Sequence, residues 1–143
     1  MSSTTVYTEI KGYLQTLYTG VYPVVDFDEI DPILSQGTDP FLALEEVTSD
    51  ESMIAMGDLS AVCLREVGAI VVHCFTPAPQ SSAAARSIAD SVRESIRFRS
   101  INAVQVYEVT PPDSGIMNDG LWTAGAVAVS YEYDTHIPHP SGA

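Results

Sequence analysis

The sequence predicts an α+β domain: a mostly antiparallel or mixed β-sheet with two α-helices packed on one face. Three observations carry that prediction. Apolar residues recur at helical spacing in two separated segments, one near the N-terminus and one after residue 82. Elsewhere apolar and polar residues alternate with the period of a strand, most cleanly in AVAVSYEY at 126–133. The order helix, strands, helix, strands also lacks the regular alternation that builds a parallel sheet. With 143 residues the chain fits a single domain. That domain is expected over 1–134, followed by a flexible C-terminal tail at 135–143.

Ser2, Ser3 or Thr4 can cap a first helix running to about Tyr18. Val6, Ile10, Leu14 and Leu17 share one face of it, and Gly20 ends it. YPVVDFDEIDP then reads as a short strand at 24–27 entering a turn-rich acidic loop. FLALEEVTSDESMIAMGD reads as a strand, a polar bend and a short methionine-bearing segment. The next strand spans 64–76, with Gly68 marking a bulge or bend. Pro77 and Pro79 stop it, and Ser81 or Ser82 caps a second helix from about 83 to 98. That helix carries a buried stripe of Ala85, Ile88, Ala89, Val92 and Ile96, flanked by Arg86, Arg93 and Arg97. Strands at 103–109 and 121–133 follow, separated by PPDSGIMNDG, and THIPHPSGA is expected to be loose.

Composition excludes several classes. At 45% hydrophobic and 17% charged, the chain is too apolar to be disordered. It holds no run of about 18 apolar residues, so no membrane span is expected. MSSTTVYTEIKGYL lacks a basic region followed by an apolar one, so no signal peptide is expected. Cys63 and Cys74 read as free thiols in a reducing compartment. Nineteen acids against six bases give a net charge of −13, which argues against nucleic-acid binding through phosphate contacts. The charge is also segregated. Ten acids and no base lie between Lys11 and Arg65, beginning with Asp26, Asp28, Glu29 and Asp31, while four of the six bases fall between Arg86 and Arg99. This pattern serves either a solvated acidic face or complementary patches that meet between copies of the chain.

The candidate chemistry is thin. His73 and Cys74 are adjacent, but neighbours in a strand point to opposite faces of the sheet, and a thiolate–imidazole dyad needs about 3 Å. Cys74 is therefore expected in the core. DFDEID offers Asp26, Asp28 and Asp31 as oxygen ligands. Counted from Asp26, though, the fifth, sixth and twelfth positions are Ile30, Asp31 and Gly37, which breaks the EF-hand pattern. His136 and His139 have no further ligand in view for zinc. No catalytic residue, metal site or cofactor is expected. Interaction remains. Met53 and Met56 on a hairpin-like arm suit an adaptable contact surface, Trp122 reads as core, and Arg86, Arg93 and Arg97 can meet the acids at 26–31 of a neighbour.

The pattern as a whole resembles the tail terminator proteins of long-tailed bacteriophages. The likeness rests on the amphipathic VYTEIKGYLQTLY, the YPVVDFDEIDP strand and loop, and a strand leaving through HCFTPAPQSSAAARSIADSVRESI into a long helix. AVQVYEVTPPDSG then leads through a DG-W turn into AVAVSYEYD. The resemblance covers roughly residues 5–134, and its motifs are architectural. It implies a virion protein with no reaction to perform: a ring, usually of six subunits, at the head–tail junction. Such a ring caps the tail tube protein, stops tube growth and meets the head connector or neck protein, while DNA passes through the lumen without specific binding. A second head–tail connector or minor tail protein, a small thiol-dependent hydrolase using Cys74, and a monomeric ligand-binding module are the alternatives.

Overall fold

The computed structural model describes residues 4–37, 39–56, 61–77, 82–117 and 122–138. Helix α1 (Thr4–Leu17) places Val6, Ile10 and Leu14 in the core. It ends where Gly20 takes φ +76°, a left-handed conformation that glycine adopts without a steric penalty. Strand β1 (Val24–Asp26) follows, then a 3₁₀ turn (Phe27–Glu29) and helix α2 (Ile30–Gln36). Two long strands come next, β2 (Phe41–Met56) and β3 (Ala61–Pro77), and then helix α3 (Ser82–Ile96). The chain continues through β4 (Ser100–Ile101), β5 (Val104–Val109), β6 (Asp113–Met117) and β7 (Trp122–Pro138).

These strands form one mixed sheet in the order β1-β2-β3-β7-β5-β4, with β6 pairing the first half of β7. Only the β1–β2 pairing is parallel among the described residues. The α+β prediction therefore holds.

The main core lies between this sheet and α1 and α3. Leu42, Leu44, Ile70, Val72, Cys74, Val127 and Val129 supply the sheet side, and Ile88, Ala89, Val92 and Ile96 of the expected α3 stripe pack against it, with Ala85 of that stripe also buried. Tyr13 donates to the Ser95 carbonyl at 2.9 Å, and the Tyr18 and Ser91 hydroxyls meet at 3.0 Å, tying α1 to α3. Leu17, expected on the buried face, is 43% exposed, and Tyr18 takes its place in the core. Helix α3 sits very close to the sheet at Gly125. A Cβ there would stand 2.8 Å from the Ala85 carbonyl oxygen, so only glycine admits this approach.

Elsewhere the structure departs from the sequence reading. The acidic segment after β1 is helical, and α2 packs on the opposite face of the sheet from α1 and α3. There it builds a second core of Ile30, Leu34, Phe41, Ala43, Phe75 and Trp122. The polar bend expected within 41–58 is absent: β2 runs on as one strand and absorbs its irregularities as register shifts between Glu46 and Thr48 and between Met53 and Ala55. Gly68 makes no bulge, because β3 and β7 stay in register through the Gly68–Tyr131 pair. The region expected to separate the last two strands contains β6. Finally, β7 continues to Pro138, four residues beyond the expected end of the domain, held by pairing with the first residues of β3.

Candidate interaction surfaces

His73 and Cys74 sit on opposite faces of β3, as strand alternation requires. Cys74 lies fully buried in the main core, where burial pushes its thiol up to about 12 and keeps it protonated near neutral pH. His73 faces the other way. Its ring stacks on Phe27 with centroids 4.4 Å apart, and its Nε2 lies 2.9 Å from Glu45 Oε1. The pair cannot exchange a proton, so this stretch is the end of a buried strand.

The acids at 26–31 gather at the corner where β1 ends and the 3₁₀ turn begins. Asp26 is tied down: Lys11 Nζ lies 2.8 Å from its Oδ1, and the Tyr7 hydroxyl donates to the same oxygen. These bonds, Lys11 first, hold the Asp26 carboxyl below its ordinary range. Glu29 is pushed up, chiefly by its hydrogen bond with Asp26. Tyr7 is also pushed up, first by burial and then by its bond to Asp26. Asp26, Asp28 and Glu29 bring carboxylate oxygens within 4.8 Å of one another, but Lys11 already supplies a cation to Asp26. Asp31 is exposed on the first turn of α2.

The arginines of α3 differ in what they can offer. Arg93 is turned inward: its Nε donates to the Val109 carbonyl at 2.8 Å, and its side chain is only 20% exposed between Glu94 and Glu108. It braces α3 against the end of β5. Arg97, just past the end of α3, reaches Glu94 at 3.6 Å and is half-buried, and Arg86 is exposed on α3. The structure thus separates the predicted stripe into one bracing residue and two outward ones. The side chains of Met53 and Met56 lie outside the described residues; their backbone belongs to β2.

Three strands extend beyond the helical layer. At about 3.3 Å per residue, the 16–17 residues of β2, β3 and β7 span about 53–56 Å, against about 22 Å for the 15 residues of α3. The projecting part comprises 48–56, 61–68 and 132–138. Arg65 braces it, with Nε 2.8 Å and Nη2 3.0 Å from the two Asp134 carboxylate oxygens and Glu132 at 3.0 Å. On the other face the Tyr131 hydroxyl donates to the buried Glu66. Among the described residues, β2 beyond Leu44 pairs only with β3, and so does β7 beyond Tyr133. Among the described residues both edges of the arm are therefore open, except at Glu132 and Tyr133, which pair with β5.

The sequence placed Met53 and Met56 on a hairpin-like arm, but the expected polar bend hid the unbroken length of β2. No protein-family model matches the chain, and a search of curated proteins finds no match either. Among the described residues, no helix is long and apolar enough to cross a membrane.

Proposed function

We propose that this chain is a structural protein that assembles into a ring, of the tail terminator kind, which caps a phage tail tube and joins it to the head connector. The observation that carries the reading is the three-stranded arm. It projects past the helices with edges that are open among the described residues, exposes Val67 (43%), and is stiffened by the Arg65 ion pairs. An isolated ribbon of this kind has no core of its own and gains stability by lying along a neighbouring surface. Its β2 edge carries Glu46, Asp50 and Glu51 together with two register shifts, devices that discourage pairing with an identical acidic edge. A closed ring instead uses two different patches on each copy.

The acidic surplus suits the same role: a negative lumen repels phosphate and lets DNA pass without binding. Cys74 gives no support to the thiol-hydrolase alternative, because its thiol is buried and protonated.

The test is mass in solution by light scattering, alone and with purified tail tubes, followed by negative-stain imaging. A closed ring, or a cap of density on tube ends, is expected. A chain that stays monomeric and leaves tube ends bare would overturn the reading.

A further inference from the structure

The turn between α3 and β4 presents a side chain for which the subunit itself has no use. Phe98 is 62% exposed, and its backbone stands at φ +59°, a left-handed conformation that a bulky L-residue adopts against its own sterics. The turn is nonetheless held firmly. The Phe98 N–H donates to the Tyr107 carbonyl at 2.9 Å, the Arg99 N–H to the Ile96 carbonyl at 3.2 Å, and the Val106 N–H to the Arg99 carbonyl at 2.8 Å. Arg97 and Arg99 flank the ring. Arg99 is exposed and anchored by Nε to the Ser95 carbonyl at 2.7 Å, and Arg97 reaches Glu94 at 3.6 Å. The result is a firmly held knob, an exposed aromatic anchor with an arginine on either side of it in sequence.

A matching recess lies where β1 ends against β2. Tyr7 and Phe27 form its aromatic walls, and Asp26, Asp28, Glu45 and Glu46 its acidic ones, with the buried Leu44 also lining it, around a cavity of about 380 Å³. Knob and recess cannot meet within one chain. The knob hangs on β5 through Tyr107 and the recess on β2, so β3 and β7 stand between them, a separation of about 14 Å across three strand spacings.

Resting on the ring reading, we propose that the Arg97–Phe98–Arg99 knob of one copy seats in the acid-walled recess of the next. Phe98 covers Tyr7 and Phe27, while the two arginines face Asp28 and Glu46. The occupant is a second copy because two chains of charge −13 repel unless their contact joins unlike patches. This chain holds both halves of such a contact, on separated parts of its sheet. The contact is head-to-tail, as ring closure requires, and its strained aromatic anchor is strain placed at a site of function.

The test is sedimentation equilibrium of the full chain at low salt, at concentrations up to about 1 mM, the range in which even a weak contact populates. The wild-type chain is expected to self-associate, and less so as salt rises. Phe98→Asn, which accepts the left-handed backbone, should weaken association by about thirtyfold or more, as loss of an aromatic anchor does. It should also unfold no earlier than wild type, which separates lost contact from lost fold. A double Asp28→Lys, Glu46→Lys variant should fail likewise. Mixed together, the two variants should form a heterodimer, because one intact knob and one intact recess remain. Absence of self-association in the wild type, association that survives both variants, or failure of the mixture to pair would each overturn the contact. The ring reading itself is judged separately, by capping of tube ends.

Discussion

Replacing Trp122 with phenylalanine tests whether the second core is what holds α2 to the far face of the sheet. Trp122 is 2% exposed, and its Nε1 donates to the Leu34 carbonyl at 2.9 Å. That carbonyl lies in the last turn of α2, where a helix leaves its C=O groups without intrahelical donors. The indole also meets Phe41 edge-on, with centroids 5.6 Å apart and planes at 78°. Phenylalanine keeps most of the aromatic contact but strands the buried carbonyl, at a cost of about 1–3 kcal/mol. The smaller ring leaves a cavity worth about 1 kcal/mol more. The expected loss is therefore about 2–4 kcal/mol. For a chain of this length that corresponds to a Tm lower by about 5–15 °C. Urea unfolding followed by far-UV circular dichroism reads it, since the variant has lost the chain's single tryptophan. The midpoint should fall while the denaturant slope stays constant. A loss below about 0.5 kcal/mol would show that α2 is not latched through this residue, and the account of the second core would be wrong.

Gly125→Ala should destabilise by about 1–3 kcal/mol in the same urea assay, because its Cβ would meet helix backbone at Ala85 and α3 would have to lift from the sheet. With a thiol reagent, native protein should show one accessible cysteine, the half-buried Cys63, while Cys74 reacts only on unfolding; two fast thiols would contradict the buried, protonated assignment. Asp26 has a depressed folded-state pKa, so its contribution to stability is complete above the unfolded value near 3.8 and is lost as pH falls through the folded one. Asp26→Asn should therefore flatten the acid limb of the stability–pH profile, and an unchanged limb would remove the Lys11 and Tyr7 bonds from the account. Arg93→Ala should lower monomer stability by about 1–2 kcal/mol through the lost bond to the Val109 carbonyl, so a neutral result would return Arg93 to the free surface.

The helices of the main core were legible because burial on one side of a helix leaves a 3.6-residue stripe. Every α3 position read as apolar-facing is buried. Trp122 was likewise legible as core. Helix α2 was not, because its seven residues, IDPILSQ, are too few to repeat a period, and its buried side chains Ile30 and Leu34 sit among acids and a proline. The long β2 strand was obscured by TSDES, whose polar residues signal a turn when local preference alone is weighed. Pairing to β3 along its full length overrides that preference, and the extra residues are taken up as bulges. The interface candidates were legible only as charge. Sequence spacing set Arg86, Arg93 and Arg97 on one flank, but whether a guanidinium turns inward depends on where β5 ends, which no local pattern records. Phe98 gave no signal either, since it read only as the end of the second helix, outside the buried stripe. Its positive φ lies in the turn that joins α3 to the β4–β5 hairpin, a tertiary feature that local sequence does not record.

The two sheet faces explain why an arm this long is tolerated. Over the first half of β2 and the second half of β3 the sheet is covered on both sides, by α1 and α3 on one and by α2 on the other. That doubly packed root fixes the register of all three long strands, and a strand pair whose register is fixed at one end cannot slip at the other. Beyond the root, order is carried by cross-strand pairs: Arg65 with Asp134 on one face and Glu66 with Tyr131 on the other. Cutting the Arg65 brace with Arg65→Ala should thus leave global unfolding within about 1 kcal/mol of wild type, as expected for an exposed ion pair. Amide hydrogen exchange should quicken in 61–68 and 132–138 and stay unchanged at the root. Exchange that quickens throughout the sheet would mean that arm and root unfold as one unit, and the arm could not then act as a separate element of assembly.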